Sequence, residues 1–93
     1  MKNNNSIINS AIKTLQLEAA SVLGLTEFID DSFSATVNLV NAMKGRLIIS
    51  GIGKSAIIAQ KIVATLNSTG TPAVFMHAAD AIHGDLGLVL KDD

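Results

Sequence analysis

Two stretches hold the side chains that could do chemistry. Gly51-Ile52-Gly53-Lys54-Ser55 joins an apolar run to a helix-patterned segment, and His77-Ala78-Ala79-Asp80-Ala81-Ile82-His83-Gly84-Asp85-Leu86-Gly87 groups imidazoles with carboxylates. Glycines at alternate positions let a backbone turn tightly and approach an anion, and a helix N-terminus just beyond them presents free N–H groups to it. Lys54 would stand at that N-terminus, where the helix dipole disfavours a cation, so an anionic ligand or an acidic neighbour must compensate. The bland alternative is a solvated lysine reaching away from the turn. His83 is the best acid–base candidate, because an imidazole titrates near neutrality, although a single histidine near a loop is often a hydrogen-bonded structural residue. Asp80 and Asp85 suit orienting His83 or capping helical turns. His77, Asp80, His83 and Asp85 are spaced to bring some ligands onto one face, but nothing in the sequence closes a coordination sphere, so no metal is expected.

The glycine-rich turn fits some anion-binding families better than others. A nucleoside triphosphatase loop needs a glycine at the position of Ile48, so that reading fails on spacing. Gly51, Gly53 and Ala56 do satisfy the dinucleotide fingerprint after a strand. That fingerprint also wants an acid at the end of the next strand, where this chain has Met76-His77 and reaches an acid only at Asp80. A turn kept glycine-rich merely to fit helix against strand remains open.

The positioning elements are legible as periodicities. Ile8, Ile12, Leu15, Ala19, Val22 and Leu23 recur at helical spacing, predicting a helix begun near Ser6 and interrupted at Gly24. Thr26 could cap a second helix through Phe28, Ile29, Phe33, Val37, Val40 and Met43, with Gly45 as its C′ residue. Leu47-Ile48-Ile49-Ser50, closed by Gly51, reads as a buried parallel strand. Ser55 to Thr69 returns to helical spacing through Ile58, Ile62, Thr65 and Leu66, stopped by Gly70 and Pro72. Ala73-Val74-Phe75-Met76 is a second strand. Strand, helix and strand with short connections make a βαβ unit with parallel strands and a right-handed crossover. The His77–Gly87 stretch then lies just past a strand's C-terminal end, where open α/β sheets place ligands. The expected class is α/β: a single domain of a helical arm over residues 1–44 and a βαβ half over residues 45–93.

At Gly51-Ile52-Gly53-Lys54-Ser55, Ser68-Thr69-Gly70-Thr71-Pro72, His77 and His83-Gly84-Asp85-Leu86-Gly87, the sequence resembles the sugar isomerase (SIS) domain family. Within it the match is to the arabinose-5-phosphate isomerases of Kdo biosynthesis and capsule formation. The likeness extends through the arm, with Glu18, Leu23-Gly24-Leu25 and Ser32-Phe33, and covers an N-terminal half of such a domain. It implies a parallel-sheet α/β sandwich, dimers or tetramers built through the helices, and a phosphorylated pentose at the strand ends. It implies Lys54 and His83 as catalytic residues, with Gly51, Gly53, Ser55, His77 and Asp85 binding substrate, and aldose–ketose isomerisation between D-arabinose 5-phosphate and D-ribulose 5-phosphate through an enediol. No cofactor is required for that chemistry. Ala56 stands where the family usually has glycine, and Ala78 and Asp80 where proline and glutamate are common. The family's Ser/Thr-rich phosphate loop and its later acid and base residues should lie beyond Asp93. The alternative is therefore a catalytically inactive phosphosugar-binding or regulatory module.

Composition bounds the partners. A 93-residue chain supports one small core at most, and an apolar content of 48% is high for it, so self-association is expected. Net charge is −1 with no basic run, which offers no footprint for nucleic acid or an anionic membrane. No secretory signal pattern or bilayer-length apolar run is visible, which makes the cytoplasm the default. Cysteine is absent, excluding disulfides and thiolate metal sites.

Overall fold

The computed structural model describes residues 3–93. In chain order they form α1 (Asn4–Gly24), a 3-10 turn (Leu25–Phe28), α2 (Asp31–Ala42), β1 (Leu47–Gly51), α3 (Lys54–Ser68), β2 (Ala73–His77), α4 (Ala78–Ile82) and a second 3-10 turn (Asp85–Leu88). The chain divides into two compact units, Met1–Ala35 and Thr36–Asp93.

In the first unit, α1 starts before Ser6 because the Asn3 side chain caps it, accepting the Ser6 N–H at 2.8 Å. Thr26 does not cap the next helix. It lies inside the 3-10 turn, and the extended backbone at Ile29 breaks helical continuity. Asp30 starts α2 instead: its carboxylate accepts the Ser32 N–H at 2.9 Å and the Ser32 hydroxyl at 2.6 Å. Those bonds, the hydroxyl's first, hold the Asp30 carboxyl below its ordinary value. The apolar stripe of α1 is present as a pattern, but no residue of α1 or α2 is buried.

The second unit holds a βαβ crossover unit with parallel strands. Leu47 pairs with Ala73 and the register runs to Gly51 opposite His77. Its strands are mostly half-buried rather than buried, because β1 and β2 form a sheet of only two strands. α3 packs on both strands, and through a different stripe from the one its large side chains suggest. Ala56 and Ala59 are buried, with Val63 and Leu66 half-buried beside them, while Ile58 and Ile62 face outward at 62% and 44% exposure. Small side chains win the sheet-facing positions because the helix backbone lies close to the strand. A Cβ on Gly51 would come within 3.3 Å of the Ala56 nitrogen.

α3 ends as Gly70 predicts. Gly70 takes φ +97°, and the Thr71 N–H donates to the Leu66 carbonyl at 2.9 Å, the six-to-one bond of a Schellman cap. The Asn67 side chain then does a strand's work at the edge of β2, donating to the Ala73 carbonyl at 3.0 Å and accepting its N–H at 2.8 Å. Gly45 is not a helix C′ residue, since α2 ends at Ala42 and Gly45 lacks positive φ. Its reason is close approach: a Cβ there would overlap the Asp92 main chain. Beside it Asp93 clasps Arg46, accepting the Arg46 main-chain N–H at 2.9 Å and its Nη2 at 2.7 Å, while that Nη2 also donates to the Leu88 carbonyl at 2.8 Å. The Arg46 bonds lead in holding the Asp93 carboxyl far below its ordinary value, with the Leu90 N–H adding to them.

Candidate active site

Parallel pairing carries both chemistry-bearing stretches to one end of the sheet. β1 ends at Gly51 and β2 at its register partner His77, so the glycine turn and the His77–Gly87 stretch leave the strands side by side. This is the C-terminal edge at which α/β sheets hold ligands.

The turn leads into an uncapped helix start. Gly53 adopts φ +62° and ψ −135°, a conformation reserved almost entirely for glycine. It directs the chain into α3, whose N-terminus receives no side-chain cap and has no acid in its first turn. The partial positive charge of a 15-residue helix and the Lys54 ammonium therefore lie together without an acidic first-turn neighbour, an arrangement that a negatively charged ligand relieves. Lys54 and Ser55 are exposed. Gly51 serves the turn from beneath, by admitting the first turn of α3 against the strand. Ala56 is only 4% exposed, so this departure from the glycine usual in the resembled family fills packing space against the strands.

The second stretch is more tightly folded than its sequence suggests. His77 terminates β2 and its Nδ1 accepts the Ala79 N–H at 3.2 Å, capping the single turn of α4. The Phe75 ring meets the His77 ring edge-on, centroids 6.3 Å apart at 85°. His83 closes α4, its main-chain N–H donating to the Asp80 carbonyl at 3.0 Å. Gly84 at φ +121° then reverses the chain into the turn that holds Asp85. The His83 imidazole and the Asp80 carboxylate are exposed and Asp85 is half-buried. Among the described residues, no side-chain hydrogen bond or ion pair joins His83 to Asp80, Asp85 or Lys54, and no three His, Cys, Asp or Glu side chains converge in metal-binding fashion. The structure thus brings Gly51, Gly53, Lys54, Ser55 and His77 to one edge of the sheet and sets His83 and Asp85 beyond α4. The capping action of His77 is not visible in the sequence; its position just before Ala78-Ala79-Asp80 is the one signal, and histidine is an uncommon cap.

The model of the SIS domain matches residues 40–93. Arabinose 5-phosphate isomerase KdsD of Pseudomonas aeruginosa is 46% identical over 93 residues, all of this chain and 28% of that protein. Arabinose 5-phosphate isomerase GutQ of Escherichia coli K12 is 44% identical over 88 residues, 95% of this chain and 27% of that protein. Among solved structures, an E. coli CFT073 protein in complex with arabinose 5-phosphate superposes with a TM-score of 0.92 at 37% identity, covering 99% of this chain and 49% of that one. The chain thus spans little more than a quarter of the curated relatives' length and about half of that solved chain.

Proposed function

The chain belongs to the SIS domain family, and from that premise we propose that it is the N-terminal part of a sugar-phosphate aldose–ketose isomerase acting on D-arabinose 5-phosphate and D-ribulose 5-phosphate. The observation that carries this reading is the uncapped, positively polarised N-terminus of α3 with Lys54 upon it, at the same sheet edge as the stretch that ends in His83. The first gives the substrate's anionic group a seat, from the amides of the Gly51–Ser55 turn and the Ser55 hydroxyl. The second supplies an imidazole, a side chain that can both give and take a proton. The similarity to proteins named arabinose 5-phosphate isomerase, and to a structure holding arabinose 5-phosphate, supports the pentose phosphate.

In the proposed reaction the sugar ring opens, the proton on C2 of the aldose is removed and its electron pair forms the C1–C2 double bond while the C1 carbonyl oxygen takes a proton, giving the enediol. The C2 hydroxyl then gives up its proton as the C2 carbonyl forms and C1 takes a proton, which gives the ketose. His83 carries protons to and from the sugar, Lys54 steadies the oxyanion that develops, and Asp85 holds a hydroxyl. The outward isoleucines of α3 and the uncovered stripe of α1 go with a homo-oligomer, a dimer or tetramer, in which those faces are buried. No described helix is long and apolar enough to cross a membrane. A charged sugar phosphate does not cross a bilayer unaided, so a cytoplasmic location accompanies this reading.

The test is an assay of ribulose 5-phosphate formation by the purified chain, with Lys54→Ala and His83→Asn beside it. Turnover that falls by about 10²–10⁴-fold in His83→Asn, at unchanged melting temperature, is the expected result. Thermal stabilisation by arabinose 5-phosphate without turnover would leave the alternative, an inactive phosphosugar-binding module. The absence of both turnover and stabilisation would overturn the reading.

A further inference from the structure

We infer that His77 is a positioning residue: its Nδ1 caps α4 and thereby sets where His83 stands. This rests on the proposed role of His83 in isomerisation and adds a residue that acts through it. α4 is a five-residue helix with no buried residue, far too short to hold its shape by propensity. Its N-terminal restraint is the bond from the Ala79 N–H to His77 Nδ1 at 3.2 Å. Its last residue, Ile82, is followed at the C-cap by His83, whose main-chain N–H closes onto the Asp80 carbonyl at 3.0 Å. His77 itself is fixed from behind, by register pairing with Gly51 and by the edge-on Phe75 ring. A rigid strand end thus orients one imidazole, that imidazole orients a single helical turn, and the turn ends at the second imidazole.

The cap dictates a tautomer. Nδ1 can accept from Ala79 only while it carries no proton, so the ring hydrogen lies on Nε2. The geometry also separates the two ring nitrogens experimentally. An asparagine side chain places Oδ1 near the position of Nδ1, and asparagine is among the best N-caps. A glutamine side chain reaches the position of Nε2 and leaves Nδ1's place empty. A residue that binds substrate through Nε2 would be replaced by Gln, whereas one that caps through Nδ1 would be replaced by Asn.

The experiment compares His77→Ala, His77→Asn and His77→Gln in the 93-residue chain, by steady-state kinetics and by NMR of the imidazoles and amides. Capping predicts that kcat falls about tenfold in His77→Ala and His77→Gln with KM within about twofold, and that His77→Asn recovers most of it. Recovery by Gln and not by Asn, or losses confined to KM, would overturn it. The NMR arm needs no turnover and so stands apart from the isomerase reading. The parent should show Nδ1 of His77 unprotonated and the Ala79 amide protected from exchange. The His83 ring resonances should move in the Ala and Gln variants and stay in place in Asn. A proton found on Nδ1, or His83 resonances indifferent to all the substitutions, would sink the proposal even in a chain without activity. Unchanged α3 amide signals identify the variants that remain folded.

Discussion

α1 and α3 are both amphipathic by sequence, yet they spend their apolar residues in opposite ways. α1 carries isoleucines and leucines at helical spacing and buries none of them; Leu17 is 68% exposed. α3 turns its isoleucines outward, Ile57 at 69%, and buries alanines. Burial here follows how closely two backbones approach, and a helix lying on a two-stranded sheet rewards the smallest side chains. Neither helix buries its large residues within the described chain, and the residues proposed for the site all stand on the sheet unit.

The sharpest way to test that contrast is to enlarge the alanine that the sheet unit buries. Ala56→Leu adds volume at a side chain that is only 4% exposed, and should cost about 2–3 kcal/mol in urea-monitored stability. A neutral result would mean α3 is loosely seated and the contrast is false. Gly53→Ala comes next. Its φ of +62° with ψ −135° admits alanine only with strain, at about 1–2 kcal/mol, and the displaced amides should weaken stabilisation by arabinose 5-phosphate more than stability itself falls. Binding that survives intact would show that the turn is a packing device.

Much of this architecture is legible in the sequence because it is written in local rules. The order of elements, the parallel βαβ unit, the Gly70 stop and the position of the glycine turn follow from periodicity and from what glycine and proline permit. What is not legible depends on distance across the fold. Nothing local says that Ala56 rather than Ile58 faces the strands, that Gly45 is small because Asp92 passes over it, or that Asn67 braces Ala73. Thr26 and Asp30 are both acceptable caps by type, and the extended backbone of Ile29 decides between them. At the site, residue types and order suggest Lys54 and His83, while the bond that makes His77 a cap requires the geometry of the strand end.

A smaller effect, confined to acid, belongs to the Arg46–Asp93 clasp. Asp93 has a side chain only 2% exposed and a carboxyl held far below its ordinary 3.8 by its bonds to Arg46. A depressed carboxyl stabilises the fold fully above its unfolded value, and that contribution disappears as pH falls below about 4 toward the folded value. Asp93→Asn should therefore lower stability at neutral pH and flatten its loss between about pH 4 and pH 2, measured as urea midpoints across that range. A variant with the parent's acid limb would show that the clasp contributes nothing to the sheet unit.

The smallest expected effect is on the arm, and it sharpens the comparison from the other side. Leu17→Ser removes a large apolar group that the described chain leaves uncovered, so its stability at low protein concentration should change by no more than about 0.5 kcal/mol. If self-association buries that face, the same substitution should shift the concentration at which the chain assembles, because the apolar area it deletes is lost from the interface rather than from a core. Sedimentation at several concentrations reads the second effect and dilute urea titration the first. A large loss in the dilute titration would mean that α1 is covered within a single chain after all. The exposed isoleucines of α3 would then be the surface whose burial needs explaining, and the proposed division between an arm for assembly and a sheet for chemistry would no longer hold.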